Sequence, residues 1–440
     1  MIMEALYSKY LECGGVVTTD SRTINGGEMF FALKGENFDG NEYALKALMA
    51  GAAYAVVDSG STPAAVHDPR IIVVGDTFAA LRDLARWHRR NCLGDRHLPV
   101  LGLTGTNGKT TTKNLIREVL SRKYKVVATE GNLNNDIGVP LSLLKIKSDT
   151  ELAVIEMGAN HPDDIAKLVQ VSQPDYGLIT NVGKAHLLGF GSFDGVKRAK
   201  GQLYDFVAAH GGEVFVNEDD ANLREMSAAR KGLSIIPYGV EFDGASVVPP
   251  TPEHPFLSLR LGERVINTRL VGAYNAMNVM TALCIGRHFE VPFDDAVAAI
   301  EGYEPSNNRS QLQKTGSNVL ILDAYNANPS SMGVAIGSFA LVQSASKIAL
   351  LGDMRELGAN SVEEHIAVIK KIAASDFKAY LVGEEFGKAL EETGPEACIL
   401  GHFKTSDDLA AYLEGHPVKD ACVLVKGSRG IQMEKVIPCL

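Results

Sequence analysis

The sequence has no long hydrophobic run. No apolar stretch approaches the roughly 20 residues that a membrane-spanning helix needs. The opening segment, MIMEALYSKYLECGG, carries Glu4, Lys9 and Glu12 inside its apolar part, which is unlike the pattern of a signal peptide. We therefore expect a cytoplasmic protein with no membrane span.

Closely paired cysteines and excess positive charge are also lacking. The six cysteines are scattered, and no two have the C-x-x-C spacing used by zinc sites and redox motifs. We interpret most of them as small core residues in a reducing compartment. With 43 basic and 53 acidic residues, the formal net charge is −10. Because a general nucleic-acid-binding surface is basic, we expect no nucleic-acid partner.

The length indicates several domains. At about 150 residues per domain, a chain of 440 residues predicts about three. In residues 96–304, buried-type strands alternate with helical patterns, which predicts a parallel sheet covered on both faces. A proline-rich break at 246–256 interrupts this unit. We place the domains at 1–95, 96–304 and 305–440, and expect a monomer because nothing suggests a dimerisation helix.

The stretch LGLTGTNGKTTTKNL, residues 101–115, indicates a phosphate site. The common P-loop G-x-x-x-x-G-K-[ST] would need glycine at 103, where this chain has Leu103. The context nevertheless agrees, since a buried strand at 98–103 leads into a glycine turn and a helix. Amide groups at such a helix start can bind an anion, Lys109 adds a positive charge, and the Thr110 hydroxyl can hold Mg²⁺. The alternative is a glycine turn before a threonine-rich helix, with no ligand.

Two further residues are candidates for a magnesium site. Glu156 directly follows the strand at 152–155, and His186 lies in TNVGKAHLLG after the next strand. Together with Thr110 they would form a mostly oxygen-lined site with one imidazole. Taken alone, Glu156 reads as a solvated strand-end carboxylate and His186 as an ordinary surface or core histidine. The run at 197–200, Lys-Arg-x-Lys, reads by default as a solvated helix face.

Seven motifs together resemble one family. In order, these are TGTNGKTTT, EMGANHPDDI, TNVGKAHLLGFGS, YNAMN, NNRSQ, DAYNANPSSM and LGDMRELG. They are similar to those of the Mur ligases, the ATP-dependent amide-forming enzymes of peptidoglycan synthesis, whose P-loop has the same shortened form. Within that family, EMGANHP and DAYNANPSSM are most similar to the members that join D-alanyl-D-alanine to UDP-N-acetylmuramoyl-tripeptide. The resemblance covers nearly the whole chain.

The resemblance implies an α/β protein of three domains. A small α/β N-terminal domain would bind the UDP-sugar, a central parallel-sheet P-loop ATPase domain would bind ATP, and a Rossmann-like C-terminal domain would bind the amine. In the first domain it assigns substrate binding to two segments that composition alone describes as a turn and a loop. The residues are Asp20, Ser21, Arg22, Lys34 and Asn41.

In the ATP site the resemblance implies nucleotide, metal and catalytic residues. The nucleotide-binding set is Gly105, Thr106, Asn107, Gly108, Lys109, Thr110, Thr111, Asn275, Asn278, Arg309 and Asp323. The Mg²⁺ set is Thr110, Glu156, His186 and, if carbamylated, Lys200, and the catalytic set is Lys109, Glu156, His186 and Lys200. Family members often have histidine where this chain has Tyr274, so that histidine's role is not carried over.

The resemblance also implies residues for the two other substrates. Asn134 and Asn135 would line the muramoyl side of the cleft. Asn326, Asn328 and Arg429 would hold D-alanyl-D-alanine, with Lys426 and Ser428 nearby; the alternative for VKGSRG is a plain strand-end turn.

The expected reaction activates the tripeptide carboxylate as an acyl phosphate, which the dipeptide amine then attacks. Two alternatives stay open: another amide ligase of the superfamily, of the muramoyl-dipeptide or folylpolyglutamate type, or a nucleotide-dependent switch that makes no amide. Because an acyl phosphate would hydrolyse in bulk water, a mobile third domain that closes the cleft is expected.

Overall fold

The computed structural model describes residues 3–61, 68–251, 255–306 and 309–440. Part of the proline-rich break and the two asparagines that open NNRSQ lie outside these ranges. In the described ranges, no helix is long and apolar enough to cross a membrane.

The N-terminal part forms a small parallel sheet with helices on both faces. Its strands, in spatial order, are β1 Val17–Thr18, β2 Met29–Phe31, β3 Tyr54–Asp58 and β4 Ile71–Val74. Its helices are α1 Met3–Glu12, α2 Ala44–Met49 and α3 Thr77–Asn91. Helix α3 begins after Asp76, whose side chain accepts a hydrogen bond from the Ala79 amide.

The central part is a six-stranded parallel sheet in the order β10-β9-β8-β5-β7-β6. The strands are β5 Val100–Thr104, β6 Val126–Ala128, β7 Leu152–Glu156, β8 Tyr176–Ile179, β9 Glu213–Asn217 and β10 Ser234–Tyr238. The helices are α4 Lys109–Leu120, α5 Gly138–Leu143, α6 Asp164–Ser172, α7 Leu187–Phe190, α8 Phe193–Ala209 and α9 Ala221–Ala228. Helix α4 buries one apolar face, formed by Leu115, Ile116, Val119 and Leu120.

An antiparallel sheet and two helices complete the central part. The strands are β11 Ala245–Val248, β12 Ser258–Leu261 and β13 Arg264–Asn267, and the helices are α10 Asn275–His288 and α11 Phe293–Gly302. Helix α10 is buried along most of its length because it packs on α4 beneath this sheet.

The C-terminal part is a second six-stranded sheet in the order β14-β15-β19-β16-β17-β18, parallel except for the β14 edge. The strands are β14 Gln311–Lys314, β15 Val319–Asp323, β16 Lys347–Gly352, β17 Lys378–Val382, β18 Ile399–Phe403 and β19 Cys422–Lys426. The helices are α12 Pro329–Ala340, α13 Ser361–Ala373, α14 Glu384–Thr393 and α15 Ser406–Gly415. Short 3₁₀ turns lie at Gly40–Tyr43, Gly358–Asn360, Arg429–Ile431 and Met433–Cys439.

The loops at the carboxyl ends of the two large sheets meet across a cleft. Asn107, which follows β5, accepts a hydrogen bond of 2.8 Å from Asn328, which follows β15. Lys184, which follows β8, forms a 2.6 Å ion pair with Glu364 of α13. Because ligands of open α/β sheets bind outside the carboxyl ends of the strands, this cleft is where a site is expected.

Candidate active site

The cleft encloses a cavity of about 670 Å³, within the range of ligand sites. Most of the residues that the sequence singled out line it together. From the central part these are Thr106, Asn107, Gly108, Lys109, Thr110, Thr111, Asn134, Glu156, His186, Asn275 and Asn278. From residue 309 onward they are Arg309, Asp323, Asn326, Asn328, Lys426, Ser428 and Arg429.

Two glycines give the loop between β5 and α4 its shape. Gly105 has φ 153° and Gly108 has φ 78°, in the region that favours glycine. A Cβ added at Gly105 would collide with the Thr180 hydroxyl, and one at Gly108 would lie 2.8 Å from Asn278 Oδ1. The loop therefore leads directly into the first turn of α4, whose amides can bind an anion.

Two lysines converge on one carbonyl of this loop. Lys109 Nζ donates to Gly105 O at 2.8 Å and to Thr106 O at 3.1 Å, and Lys200 Nζ donates to Gly105 O at 3.0 Å. Burial lowers the pKa of Lys109, which nearby Glu156 partly offsets. Burial and the charge of Lys109 hold the pKa of Lys200 well below its usual range. A negatively charged ligand would offset the repulsion that disfavours positive charge on both lysines.

The interpretation of 197–200 as a solvated helix face is wrong for Lys200. Its side chain is buried on the inner face of α8, whereas the default interpretation expected solvent there. Lys200 lies behind the loop and does not line the cavity itself. The physical reason is the register of α8, which turns Ala199 and Lys200 toward the sheet.

Glu156, at the end of β7, is buried and only half satisfied. Its Oε1 accepts from Asn134 Nδ2 at 2.8 Å and from Thr110 Oγ1 at 3.3 Å. Its Oε2 has no hydrogen-bond partner among the described residues. Because a buried, unpartnered carboxylate oxygen is costly, this atom fits a bound cation.

His186 lies in the loop between β8 and α7 and contacts the opposite side of the cleft. Its Nδ1 hydrogen-bonds the Glu356 carboxylate, which follows β16. Burial lowers the pKa of His186, and Glu356 opposes that shift. A neutral imidazole is the form that binds a metal.

The asparagines of α10 form a buried network beside the loop. Asn275 Nδ2 donates to Val271 O at 2.8 Å, and Asn278 Nδ2 donates to Asn275 Oδ1 at 2.8 Å. Asn278 Oδ1 accepts from Thr112 at 2.9 Å. These bonds tie α10 to α4 and hold the wall beside Gly108. The hydroxyl of Tyr274 lies 3.1 Å from that of Ser310.

A cation–ring stack forms the next wall. The Arg309 guanidinium lies 3.5 Å from the centroid of the Tyr325 ring, and that of Arg429 lies 5.1 Å from it. Asp323 accepts a 2.6 Å hydrogen bond from the buried Lys426. The wall thus presents two arginines and one neutralised acid–base pair, which suits anionic ligands.

The asparagine that follows β15 has a structural role as well. Asn328 caps α12, accepting from the Ser331 amide at 2.9 Å, while its Nδ2 donates to Asn107. Asn326 Oδ1 accepts from the Ala327 amide at 2.9 Å. Asn107, predicted to bind the nucleotide, and Asn328, predicted to bind the amine substrate, are therefore directly hydrogen-bonded.

The other predicted substrate residues do not line this cavity. Asp20 and Arg22 form a local 2.7 Å ion pair, and Lys34 lies 3.6 Å from Asp39. Asn41 is buried and bonds the carboxylate and amide of Asp58. Ser21 belongs to the turn at 20–23, and Asn135 Oδ1 accepts from the Gly138 amide at the start of α5. Their assignment to substrate stays a prediction.

Several lining residues were missed by the sequence analysis. Arg355 and Glu356 lie in LGDMRELG, which carried the resemblance without any residue being singled out, and Tyr325 lies in DAYNANPSSM. Asn181 holds the glycine loop, since its Oδ1 accepts from the Asn107 amide at 3.0 Å. A position in the loop that follows a parallel strand was the signal that could have found them.

Comparison with known proteins gives the same family along the chain. Three family models match: "Mur ligase family, catalytic domain" over residues 15–88, "Mur ligase middle domain" over 103–286 and "Mur ligase, glutamate ligase domain" over 308–429. The chain is 32% identical over 427 residues to the UDP-N-acetylmuramoyl-tripeptide–D-alanyl-D-alanine ligase of Bacillus subtilis, covering 96% of this chain and 92% of that protein. It is 32% identical to the Escherichia coli protein of the same name over 432 residues, 96% of this chain and 93% of that protein.

Solved structures agree. MurF from Acinetobacter baumannii superposes with a TM-score of 0.83 at 29% identity, covering 96% of this chain and 92% of the other. The MurF ligase of Thermotoga maritima in complex with ADP gives 0.82 at 26% identity, covering 96% of both chains. The resemblance drawn from the motifs and the predicted α/β fold class are confirmed, and the chain belongs to the Mur ligase family.

Proposed function

We propose that this protein joins D-alanyl-D-alanine to UDP-N-acetylmuramoyl-tripeptide with ATP in peptidoglycan precursor synthesis. The observation that carries the proposal is the shared cavity, where the glycine loop of one sheet faces the asparagines of the other. The near-complete coverage of relatives with that named activity supports it. The proposed domains are 1–95 for the UDP-sugar, 96–304 for ATP and 305–440 for the amine. The cytoplasmic location and the monomeric state stay predictions.

ATP would lie with its phosphates at the start of α4 and its adenine side toward α10. Gly105, Gly108 and the amides between them would cradle the phosphates, and Lys109 would neutralise them. Arg309 would then approach the nucleotide from the domain junction, with Asp323 toward the ribose.

Thr110, Glu156 and His186 fit a magnesium ion. They offer a hydroxyl, a carboxylate oxygen that has no hydrogen-bond partner among the described residues, and an imidazole whose burial lowers its pKa and so favours the neutral form. When bound, the ion would offset the negative charge of the transferring phosphoryl group. No group of three or more His, Cys, Asp or Glu side chains that could hold a metal occurs in the described part of the chain, so phosphate oxygens and water would complete its shell.

Lys200 would supply a second carboxylate by carbamylation. Its buried amine has a strongly lowered pKa, and the neutral amine is the form that attacks carbon dioxide. The new N–C bond forms as the amine loses one proton, which gives a carbamate anion. That anion would place a negative charge near Lys109 and would serve a second Mg²⁺.

The reaction takes place in two steps. A carboxylate oxygen of the tripeptide attacks the γ-phosphorus of ATP, the bond to the β–γ bridging oxygen breaks, and ADP leaves. The neutral amine of D-alanyl-D-alanine attacks the acyl phosphate, forms a tetrahedral intermediate and expels phosphate as the nitrogen loses its proton. Lys109 opposes the repulsion between the anions in the first step. Asn326, Asn328 and Arg429 would orient the dipeptide, whose carboxylate suits an arginine.

The test is release of ADP and phosphate with UDP-N-acetylmuramoyl-tripeptide and a panel of amines. The panel is D-alanyl-D-alanine, D-alanine, lysine, meso-diaminopimelate and glutamate, with product mass as a second readout. We expect phosphate release and a new amide with the dipeptide alone. Turnover with a single amino acid would assign another ligase of the superfamily, and nucleotide hydrolysis without amide formation would indicate a switch.

A further inference from the structure

The loop that carries His186 is held by the C-terminal part of the chain. Its Lys184 amide donates to Ser330 Oγ at 3.1 Å, and Lys184 Nζ pairs with Glu364 at 2.6 Å. The imidazole bonds Glu356, and the Leu188 amide donates to Glu356 O at 3.4 Å. Residues 184–188 therefore have four polar contacts with residues more than 140 positions later in the sequence.

Both partners of the central contact have an unusual backbone. His186 has φ 50° and Glu356 has φ 65°, a region that costs a residue other than glycine roughly 1 kcal/mol or more. Such conformations persist where surrounding contacts determine them and cluster at functional sites. The contact is thus constrained from both backbones, unlike an ordinary surface ion pair.

We propose that Glu356 is a positioning residue, whose carboxylate orients His186 so that Nε2 faces the divalent cation of the nucleotide site. An ionised carboxylate only accepts hydrogen bonds, so the proton lies on Nδ1 and the lone pair on Nε2. Carboxylates hold metal-binding histidines in this way and raise the basicity of the ligand nitrogen. The inference rests on the proposed function, which makes His186 a metal ligand.

The arrangement links metal binding to cleft closure. Glu356 lies in the loop after β16, in the C-terminal part, whereas His186 belongs to the central part. His186 therefore has its orienting partner only when the central and C-terminal parts meet across the cleft. The ion pair of Lys184 with Glu364 joins the same His186-bearing loop to α13 of the C-terminal part, without touching the imidazole. Substitution of Glu364 therefore serves as a matched control, since it weakens docking and leaves the proposed orienting bond.

The experiment measures Mn²⁺ binding to the full chain with ADP, by electron paramagnetic resonance, for wild type and four variants. Removing an orienting partner costs about 10-fold to 100-fold in metal affinity, and we expect about 10-fold for Glu356→Ala. Glu356→Gln keeps an acceptor, so it should stay within about threefold of wild type, as should Glu364→Gln. His186→Ala should weaken binding at least as much as Glu356→Ala. Nitrogen NMR of His186 should show proton loss from Nδ1 in Glu356→Ala alone.

Each outcome decides between the assignments. Equal weakening by Glu356→Ala and Glu364→Gln would reduce Glu356 to a docking contact and overturn the proposal. Unchanged affinity in Glu356→Ala, with weaker binding in His186→Ala, would overturn it and leave the metal assignment standing. Unchanged affinity in His186→Ala would overturn both. If Glu356→Ala does not fold, as judged by circular dichroism, an Nε2-protonated His186 in the wild-type NMR spectrum would refute the proposal.

Discussion

Replacing Lys109 with methionine should separate catalysis from folding. Methionine keeps most of the side-chain length and removes the charge that faces the cavity. In the folded protein, burial lowers the pKa of Lys109, so its charged form is disfavoured relative to the unfolded chain. Removing that charge therefore offsets part of what is lost when its two hydrogen bonds, to Gly105 O and Thr106 O, disappear.

The effect of Lys109→Met on stability should be much smaller than its effect on catalysis. Gly105 O keeps a donor in Lys200 at 3.0 Å, so only Thr106 O loses its partner, at about 1 kcal/mol. We expect the free energy of unfolding to change by no more than about 1 kcal/mol. Loss of a preorganised charge at the transferring group costs about 100-fold to 1000-fold or more in kcat, about 3 to 4 kcal/mol.

The assay pairs urea denaturation with the ADP-release and amide-formation assays. Lys113→Met is the matched control, because Lys113 lies one turn further along α4, is also buried with a lowered pKa, and bonds Thr129 O away from the cavity. Ligation by Lys113→Met should stay within about tenfold of wild type. Near wild-type ligation by Lys109→Met would refute the phosphate assignment. So would equal losses in the two variants, which would point to a shared folding defect.

Four further predictions test other parts of the molecule. Lys200→Gln should lower the rate of ligation about 100-fold. Removing dissolved carbon dioxide should slow the wild-type enzyme, and adding bicarbonate should restore its rate. If Lys200→Gln responded to carbon dioxide and bicarbonate as strongly as the wild type, the carbamate would be contradicted. Lys184→Glu and Glu364→Lys should each increase the radius of gyration measured by X-ray scattering with an ATP analogue. The double variant, which restores an ion pair of reversed polarity, should restore the wild-type radius, with a coupling free energy between the two substitutions of about 0.5 to 1 kcal/mol. A double variant that shows no rescue would argue against the ion pair. Asn41→Ala removes three hydrogen bonds of 2.6 to 3.0 Å and should cost about 2 kcal/mol in urea denaturation, whereas unchanged stability with weaker UDP-sugar binding would favour a substrate role. Burial lowers the pKa of His88 below its ordinary 6.5. Its contribution to stability is therefore fully present above pH 6.5 and is lost progressively as the pH falls from there toward the lowered folded-state pKa. His88→Gln should flatten the pH dependence of the free energy of unfolding between pH 7 and 5.5, and an unchanged slope would assign that dependence to another group.

The phosphate loop could be predicted because its determinants are local. A buried strand, two glycines, a lysine and a threonine lie within a short stretch, and each has one main conformational consequence. Gly105 and Gly108 have the backbone that the turn requires, and the face of α4 that packs on the sheet follows its sequence period. Strand ends are equally local, which is why Glu156 was found from the sequence pattern.

Residues whose role depends on distant partners could not be read in this way. Lys200 appears as part of a basic run, and only the docking of α8 behind the loop reveals its burial. Glu356 lies 170 residues from His186, and no local pattern pairs them. Asn41 lies in a polar loop typical of a binding segment, yet its amide is engaged with Asp58, because β3 ends beside it.

The distribution of contacts across the cleft indicates how it could open and close. Near the point where the chain passes from the central part to the C-terminal part, Val271 packs into the apolar core of the C-terminal part, and its amide donates to Ser310 O at 3.3 Å. At the mouth, the contacts are polar and partly exposed, including the pair of Asn107 with Asn328 and that of Lys184, whose side chain is 55% exposed. Exposed ion pairs contribute about 1 kcal/mol or less, whereas apolar burial is not weakened by water at the surface. Opening of the cleft should therefore break the polar contacts at its mouth first and pivot about the apolar contact of Val271. Such a motion would let product leave without disturbing either sheet.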